Sequence, residues 1–256
     1  MKIHIFPTDR DAAVALAHEI AAAIRSKPDI VLGLPTGRTP VLLYRELAAL
    51  ERRGLADFSR VTTFNLDEFL GLAADHPGSY RQYMQRQLFD KIHVAAARTN
   101  FLNGAARDPE AECERYERAI EAVGGIDLQV LGIGTNGHIG FNEPGDTLVA
   151  PTHRVKLRPE TRRANAALFG GSIDAVPQEA LSMGMATILH ARSIILLATG
   201  RTKAPCLEGM VHGPLTPRLP ASFLHTHRDM QVFLDAPAAE LLRKGTIEGR
   251  TSLSYF

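Results

Sequence analysis

The chain alternates between short apolar runs and longer segments whose apolar residues recur every three or four positions. The first pattern is typical of buried strands and the second of amphipathic helices. Predicted strands cover residues 2–6, 29–34, 61–66, 100–103, 128–133, 153–157, 181–185, 193–198, 221–225 and 230–235. Predicted helices cover residues 9–26, 41–53, 80–89, 109–123, 187–191 and 236–244. This alternation predicts an α/β fold, Rossmann-like, with a mostly parallel central sheet and helices on both faces.

No internal repeat or linker-like tract divides the chain, so residues 1–256 are predicted to form a single domain. Residues 159–185, which we call the flap, are basic at first and then glycine-rich. This composition indicates a helix followed by a mobile segment that can cover a site.

The most informative stretch is a buried strand that runs into a polar, glycine-rich turn, LQVLGIGTNGHIGFNEPG, at residues 128–145. We call residues 132–145 the glycine loop. It carries an imidazole at His138, a carboxylate at Glu143 and an amide at Asn136. Ligands of open α/β sheets bind at the carboxyl ends of strands. The stretch therefore predicts a catalytic site at the end of this strand.

An alternative interpretation of the same loop is a dinucleotide site. Gly132, Gly134 and Gly137 spell G-x-G-x-x-G, which requires a following helix and an acidic residue after the next strand. Pro144 arrives seven residues after Gly137, and the next strand-like run ends in the sequence KLR at residues 156–158. Both features argue against a nicotinamide cofactor.

A second loop, PTGRTP at residues 35–40, joins a predicted strand to a predicted helix. Thr39 is expected to cap that helix, and Pro40 suits its first position. The amides at a helix start attract anions, so residues 36–39, called the anion loop here, are predicted to bind phosphate. An ordinary strand-to-helix turn is the alternative, because the loop is not a Walker motif.

Two carboxylates, Asp67 and Glu68, follow the third predicted strand. Adjacent side chains at a strand end cannot point the same way. One of them is expected to face the cleft while the other packs or pairs elsewhere; the alternative is a solvated loop acid. A further turn, TGRTK at residues 199–203, brings Lys203 to the end of another apolar strand.

Composition excludes several classes of protein. The chain has 45% hydrophobic residues, 22% charged residues and a net charge of +1, which is ordinary for a globular protein and gives no general attraction to nucleic acid or membrane. No apolar run approaches the roughly 18 residues of a membrane span, and the N-terminus does not resemble a signal peptide. Cys113 and Cys206 match no metal-binding spacing. A cytoplasmic location without metal is therefore expected.

Several motifs together resemble the glucosamine-6-phosphate deaminase family, also called glucosamine-6-phosphate isomerase. They are GLPTGRTP at 33–40, FNLDEFLGL at 64–72 with HPGSY at 76–80, and LGIGTNGHIGFNEPG at 131–145. Weaker support comes from TGRTKA at 199–204 and PASFL at 220–224. The motifs span most of the chain, and their combination is far more specific than any one of them.

The resemblance implies an enzyme that opens the ring of an amino-sugar 6-phosphate, isomerises the aldose to a ketose and releases ammonia, without cofactor or metal. It implies that His138 opens the ring, that Glu143 orients and charges this imidazole, and that Asp67 abstracts the C2 proton. Asn136 belongs to the same catalytic group. The implied substrate-binding residues are Thr36, Gly37, Arg38, Thr39, Gly137 and Lys203.

Three departures leave the substrate open. Asn136 stands where many members have Asp, Arg38 where many have Gly, and Ala167 where the flap usually carries a phosphate-binding arginine. Arg38, Arg162 or Arg163 could replace that arginine. The alternatives are a galactosamine-6-phosphate deaminase, a 6-phosphogluconolactonase-like hydrolase and a non-catalytic sugar-phosphate sensor. The retained Asp67, His138 and Glu143 argue against the sensor. The family includes oligomers, so a homo-oligomer is also considered.

Overall fold

The computed structural model describes residues 1–242 and the backbone of one further strand at residues 252–255. Its strands are β1 Lys2–Phe6, β2 Val31–Leu34, β3 Thr62–Asn65, β4 Asp67–Phe69, β5 Thr99–Asn100, β6 Leu128–Leu131, β7 His153–Lys156, β8 Glu179–Ser182, β9 Ser193–Ala198, β10 Met230–Asp235 and β11 Ser252–Tyr255. Its helices are α1 Asp9–Ser26, α2 Pro40–Arg52, α3 Tyr80–Gln87, α4 Pro109–Ala122, α5 Pro159–Asn165, α6 Met185–Leu189 and α7 Ala204–His212.

Eight strands form the main sheet in the order β11-β1-β10-β9-β6-β2-β3-β5. Every described pairing within it is parallel. Parallel neighbours need crossovers, and the helices supply them. The predicted Rossmann-like α/β fold with a mostly parallel central sheet is confirmed.

The two faces of the main sheet carry separate apolar cores. Along β9, Ile194 and Leu196 belong to one core, and Ile195 and Leu197 belong to the other. This follows from the two-residue period of a strand. Helices α4 and α7 cover the first face, whereas α1, α2 and α3 cover the second.

A second, antiparallel sheet of three strands lies beside the first, in the order β4-β8-β7. Its pairing places Asp67 opposite Ser182. A small apolar cluster that includes Phe69, Phe141 and Val176 packs around it. The apolar pattern predicted strands in this part of the chain but not that they leave the main sheet.

Two predicted elements are wrong. Residues 221–225 are not a strand but part of a 3-10 helix, Pro220–Thr226, in which Ala221 and Leu224 are buried three positions apart. Residues 236–242 form turns, not a helix. The Asp235 carboxylate accepts hydrogen bonds from the amides of Ala238 and Gly200, and such local bonding competes with helix formation. The remaining part of that predicted helix, residues 243–244, lies outside the described residues.

The other predicted elements agree in type, with ends that differ by a few residues. Helix α1 and strands β1, β9 and β10 have the predicted bounds. None of the helices in the described residues has both the length and the apolar character that a bilayer crossing requires.

Candidate active site

The predicted site residues converge because they follow the carboxyl ends of four neighbouring strands, β9, β6, β2 and β3. The anion loop follows β2, the glycine loop follows β6, Lys203 follows β9, and Asp67 lies just beyond β3. The strand ends of a parallel sheet meet at one edge, so segments far apart in sequence form one cleft. No helix follows Gly137 before Pro144, which removes the dinucleotide interpretation.

His138 is held against the backbone of the glycine loop. A Cβ atom at Gly134 would lie 2.3–2.5 Å from atoms of the His138 ring, so only glycine allows the ring to pack there. The backbone closes the loop, since the amide of Gly134 donates to the carbonyl of His138 at 2.9 Å. The side chain of His138 keeps 21% exposure. The imidazole is therefore both fixed and accessible.

The Glu143 carboxylate lies beside this imidazole, with 3.7 Å between His138 Nδ1 and Glu143 Oε2. That separation is an ion-pair distance and too long for a hydrogen bond. Asn136 Nδ2 donates to Glu143 Oε2 at 3.1 Å, and Asn136 Oδ1 accepts from the His138 amide at 3.2 Å. Asn136 thus orients both partners through an uncharged amide.

Glu143 is held in its ionised form. Thr161 Oγ1 donates to Glu143 Oε1 at 2.5 Å, and the amide of Arg158 donates to the same oxygen at 3.4 Å. Burial alone would raise the pKa of Glu143, but His138 and the Thr161 hydroxyl outweigh burial and lower it to about 2.

Asp67 has the opposite environment. Its side chain is buried, and Oδ1 has no hydrogen-bond partner among the described residues. Burial raises the pKa of Asp67 to about 8, and the nearby charge of Glu68 adds to the effect. A Cβ atom at Gly140 would lie 3.7 Å from Asp67 Oδ2, which places the carboxylate beside the glycine loop that carries His138.

The neighbouring Glu68 points away from this cleft, as expected for adjacent carboxylates. It accepts hydrogen bonds from the amides of Phe69, Tyr80 and Arg81, each at 2.9 Å. The amides of Tyr80 and Arg81 lie at the N-terminus of helix α3, where the helix dipole stabilises a negative charge. Burial still raises the pKa of Glu68 despite these bonds. Asp67 is therefore the member of the pair that is free for chemistry.

The anion loop has the backbone of an anion site. Gly37 adopts φ +104°, a conformation that side chains rarely allow, and its carbonyl accepts from the Tyr83 hydroxyl at 2.5 Å. Within residues 1–242 the amides of Gly37, Arg38 and Thr39 donate to no protein acceptor. The expected cap is wrong in detail. Thr39 occupies the N-cap position of α2, but its backbone is helical and its side chain makes no capping bond.

Two cations lie near this loop. Lys203 Nζ donates to the carbonyl of Ile133 at 2.6 Å. Burial lowers the pKa of Lys203, Cys206 opposes this, and the positive charge of Arg38 lowers it further. Arg38 is exposed, and in the part of the chain that the structure describes its guanidinium has no carboxylate partner. Two close cations without a counter-charge favour an anion between them.

The three arginines that could replace the missing flap arginine have different surroundings in the structure. Arg162 is committed to the flap backbone, with its guanidinium donating to the carbonyls of Ile173 and Val176. Arg163 is exposed and lies 3.9 Å from Glu160. Ala167 is exposed. Arg38 differs from Arg162 and Arg163 in that it belongs to the anion loop and its charge acts on Lys203.

Gly137 shapes the loop more than it binds. Its φ is +84°, its amide donates to Gly134 at 3.0 Å, and its carbonyl accepts from Ala221 at 3.0 Å. Both polar groups are thus already used inside the protein. In the described residues no group of His, Cys, Asp and Glu side chains is arranged to hold a metal.

Sequence reasoning missed the residues that link these parts. Thr161 and Asn165 on α5 contact Glu143 and Tyr80, respectively, and Tyr83 holds Gly37. The motif HPGSY pointed to Tyr80 but not to its hydroxyl. No local sequence signal marks Thr161, because its partner is 18 residues away.

A comparison with family models agrees with this arrangement. Residues 8–233 match the model described as glucosamine-6-phosphate isomerases/6-phosphogluconolactonase. The chain belongs to this family. The match runs from the first helix to the last strand of the wholly described part of the chain, so it includes every loop of the site.

Relatives with curated names are similar over nearly their whole length. A glucosamine-6-phosphate deaminase of Geobacillus sp. is 50% identical over 87% of this chain and 88% of that protein. One from Halothermothrix orenii is 48% identical over 94% of this chain and 100% of that protein.

Solved structures give the same result at the level of the fold. A monomeric glucosamine-6-phosphate deaminase has a TM-score of 0.91 and 44% identity, covering 94% of this chain and 100% of that chain. The 6-phosphogluconolactonase from Trypanosoma cruzi has a TM-score of 0.74 at 21% identity, covering 94% and 96%. The second likeness concerns the family's fold alone.

Proposed function

We propose that this chain converts glucosamine 6-phosphate and water into fructose 6-phosphate and ammonia. The observation that carries the proposal is the pair of unlike carboxylates around His138. Asp67 has a pKa near 8, whereas Glu143 has a pKa near 2 and lies against the imidazole. Carboxyl groups separated in this way suit one proton-transfer role and one fixed-charge role.

The phosphate group binds at the anion loop. The amides of Gly37, Arg38 and Thr39 point to no protein acceptor, and Lys203 and Arg38 supply positive charge. A helix start and two cations are a favourable combination for a doubly charged phosphate. Arg38 takes the place of the family's usual flap arginine.

Proton transfer begins at the sugar ring. His138 moves a proton between the ring oxygen and the C1 hydroxyl, which opens the ring to the aldehyde. Asp67 then removes the C2 proton while His138 gives a proton to the C1 oxygen, which forms an enolamine. Asp67 returns its proton to C1, and the nitrogen lone pair forms a C2=N iminium. Water adds to the iminium, ammonia leaves, and the remaining proton returns to His138 as the ketose forms. This one reaction therefore includes isomerisation of the sugar, hydrolysis of the C=N bond and release of ammonia.

The direct test is ammonia release from glucosamine 6-phosphate, with galactosamine 6-phosphate and 6-phosphogluconolactone as competing substrates. We expect turnover of glucosamine 6-phosphate with kcat/KM at least tenfold above the galactose isomer. Lactone hydrolysis without ammonia would assign the lactonase activity instead. Sugar-phosphate binding without any product would assign a sensor.

The phosphate contacts are tested by Arg38→Ala and Lys203→Met. Each removes one cation from the loop, so we expect KM to rise about tenfold with kcat changed much less. Arg163→Ala is the matched control, because it removes an exposed arginine whose nearest carboxylate, Glu160, lies on the same helix. An equal rise in KM for Arg163→Ala would contradict the assignment of Arg38.

Residues 1–256 act as one catalytic domain in this proposal, with the flap at 159–185 moving over the bound sugar. The enzyme works in the cytoplasm, needs no cofactor or metal, and takes only the small sugar phosphate as partner. A homo-oligomer would be detected by analytical ultracentrifugation. The solved relative at 44% identity is described as monomeric.

A further inference from the structure

A line of contacts runs from the anion loop to Glu143 through helices α3 and α5. The Tyr83 hydroxyl on α3 donates to the carbonyl of Gly37 at 2.5 Å, and the Tyr80 hydroxyl on the same helix donates to Asn165 Oδ1 at 2.8 Å. Asn165 Nδ2 donates to the carbonyl of Thr161 at 2.9 Å. Thr161 Oγ1 then donates to Glu143 Oε1 at 2.5 Å.

The bonds in this line are directed, and the backbone of Thr161 joins the carbonyl that accepts from Asn165 to the hydroxyl that donates to Glu143. The Tyr80 hydroxyl has one proton, which it gives to Asn165. The Asn165 amide group must then point its nitrogen towards Thr161. An ionised carboxylate can only accept hydrogen bonds, so the hydroxyl proton of Thr161 must point towards Glu143. Tyr80 and Thr161 are 4% and 2% exposed, which leaves little room for water to replace a lost partner.

The two ends of the line are the two places where the proposed substrate would act. Gly37 belongs to the anion loop, whose amides, unpaired within residues 1–242, and neighbouring cations, Arg38 and Lys203, favour an anion. Glu143 is the carboxylate that accompanies His138. Between them, α5 is attached at one end to Tyr80 and at the other to Glu143. A shift of the Gly37 backbone towards a phosphate therefore displaces Tyr83 on α3 and, through Tyr80 on the same helix and α5, changes the bonding of Glu143.

We propose that Tyr80, Asn165 and Thr161 form a relay, which aligns Glu143 against the imidazole when the substrate's phosphate binds the anion loop. This rests on the proposed function and adds positioning residues to it. In this relay the contacts of the phosphate do more than hold the substrate. They also set the geometry of the groups that open the ring. Such use of remote binding energy raises kcat as well as lowering KM.

The kinetic test compares Thr161→Val with Thr161→Ser. Valine has the shape of threonine without its hydroxyl, so we expect kcat to fall about tenfold while KM changes by less than about twofold. Serine restores the hydroxyl and should recover most of kcat. Thr187→Val is the matched control, since Thr187 is a buried threonine that donates to Glu117 at 2.5 Å outside the site. A loss of kcat as large in Thr187→Val, or no rescue by serine, would overturn the relay.

A double-mutant cycle tests whether the residues act in series. We expect Tyr80→Phe to lower kcat about fivefold. The double variant that combines Tyr80→Phe with Thr161→Val should have a kcat within about twofold of that of Thr161→Val alone. Fully additive losses would show two independent effects and overturn the relay.

A binding measurement keeps this proposal separate from the proposed activity. Saturating inorganic phosphate should slow amide hydrogen exchange in residues 159–165 of the unmodified chain and of Thr187→Val. In Tyr80→Phe the phosphate should still bind, but the slowing in residues 159–165 should be lost. Equal slowing in Tyr80→Phe would overturn the relay whether or not the chain releases ammonia. Absence of ammonia with this exchange pattern intact would overturn the proposed activity alone.

Discussion

The two acidic groups of the candidate site show how differently one fold can treat the same functional group. Asp67 is buried beside another acid, and one of its oxygens has no partner in the described residues. Glu143 is also largely buried, yet Thr161, Asn136 and the imidazole of His138 surround its two oxygens. The pKa is about 8 for the first and about 2 for the second.

This difference teaches that burial alone does not decide the charge of a carboxylate. Donors alone do not decide it either, because Glu68 accepts from three amides and its pKa is still raised. Glu143 differs in that the imidazole of His138 acts on it together with the donors Thr161 and Asn136, whereas Asp67 has burial and the charge of Glu68 against it. The comparison supports the proposed proton-transfer role of Asp67 and the proposed fixed charge of Glu143.

The largest effect is expected from Asp67→Asn, which removes the proposed base but keeps its shape. We expect kcat to fall on the order of 1,000-fold, measured by ammonia release, because loss of a general base typically costs this much. Activity above one tenth of that of the unmodified chain would contradict the assignment of Asp67 as base.

The same variant should be more stable at alkaline pH. The folded pKa of Asp67 lies above its ordinary value of 3.8, so the folded state holds the proton more tightly and loses stability as pH rises from about 4 to 8. At pH 8 we expect Asp67→Asn to raise the free energy of unfolding by about 5 kcal/mol, measured by urea denaturation, since each pH unit between 3.8 and 8 contributes about 1.4 kcal/mol. At pH 4 the gain should vanish.

Glu143→Gln should lower both activity and stability, whereas Asp67→Asn lowers activity and raises stability at alkaline pH. The neutral amide removes the negative charge beside the imidazole and presents a donor to Asn136, so we expect kcat to fall on the order of 100-fold. The folded pKa of Glu143 lies below 4.5, so its charge stabilises the fold above that pH and the benefit is lost as pH falls towards 2. At pH 7 thermal unfolding should therefore shift downwards. An unchanged or higher melting temperature would contradict the comparison.

The smallest effect is expected from Glu68→Gln. This variant tests whether the charge of Glu68 contributes to the raised pKa of Asp67. Removing the adjacent negative charge lowers the pKa of Asp67, because that charge is the second cause of its elevation. The rise of kcat/KM with pH should then move to lower pH by about half a unit. Glu121→Gln, on the exposed end of α4, is the matched control and should leave this profile unchanged.

Much of the fold was predictable because periodicity reports burial. Helix α1 and strand β9 have the predicted bounds, since their apolar spacing is regular. Periodicity does not report which strand pairs with which, so the separate sheet of β4, β7 and β8 was not expected. The strand predicted at 221–225 was wrong, because two buried positions three apart also fit a 3-10 helix.

The site was predictable where its residues share a motif. Asp67, Asn136, His138 and Glu143 lie together in the structure, although their catalytic roles stay predictions. The partners of these groups were not predictable. Thr161 reaches Glu143 through the packing of α5, and nothing near Thr161 in the sequence marks this contact. A carboxylate's pKa depends on such long-range neighbours, and so does its chemistry.

The placement of Asp67 in the small sheet has a consequence for how new specificities could arise. Asp67 pairs with Ser182 on β8, whereas His138 follows β6 of the large sheet. Asp67 also follows β3 of the large sheet, and Ser182 Oγ accepts from the amide of Phe141 in the glycine loop at 3.0 Å, so β8 ties the base to the loop that carries the imidazole. Insertions or deletions in the flap between β7 and β8 would therefore move both groups together, and a change of sugar is expected to arise from substitutions at the cleft and not from changes in flap length.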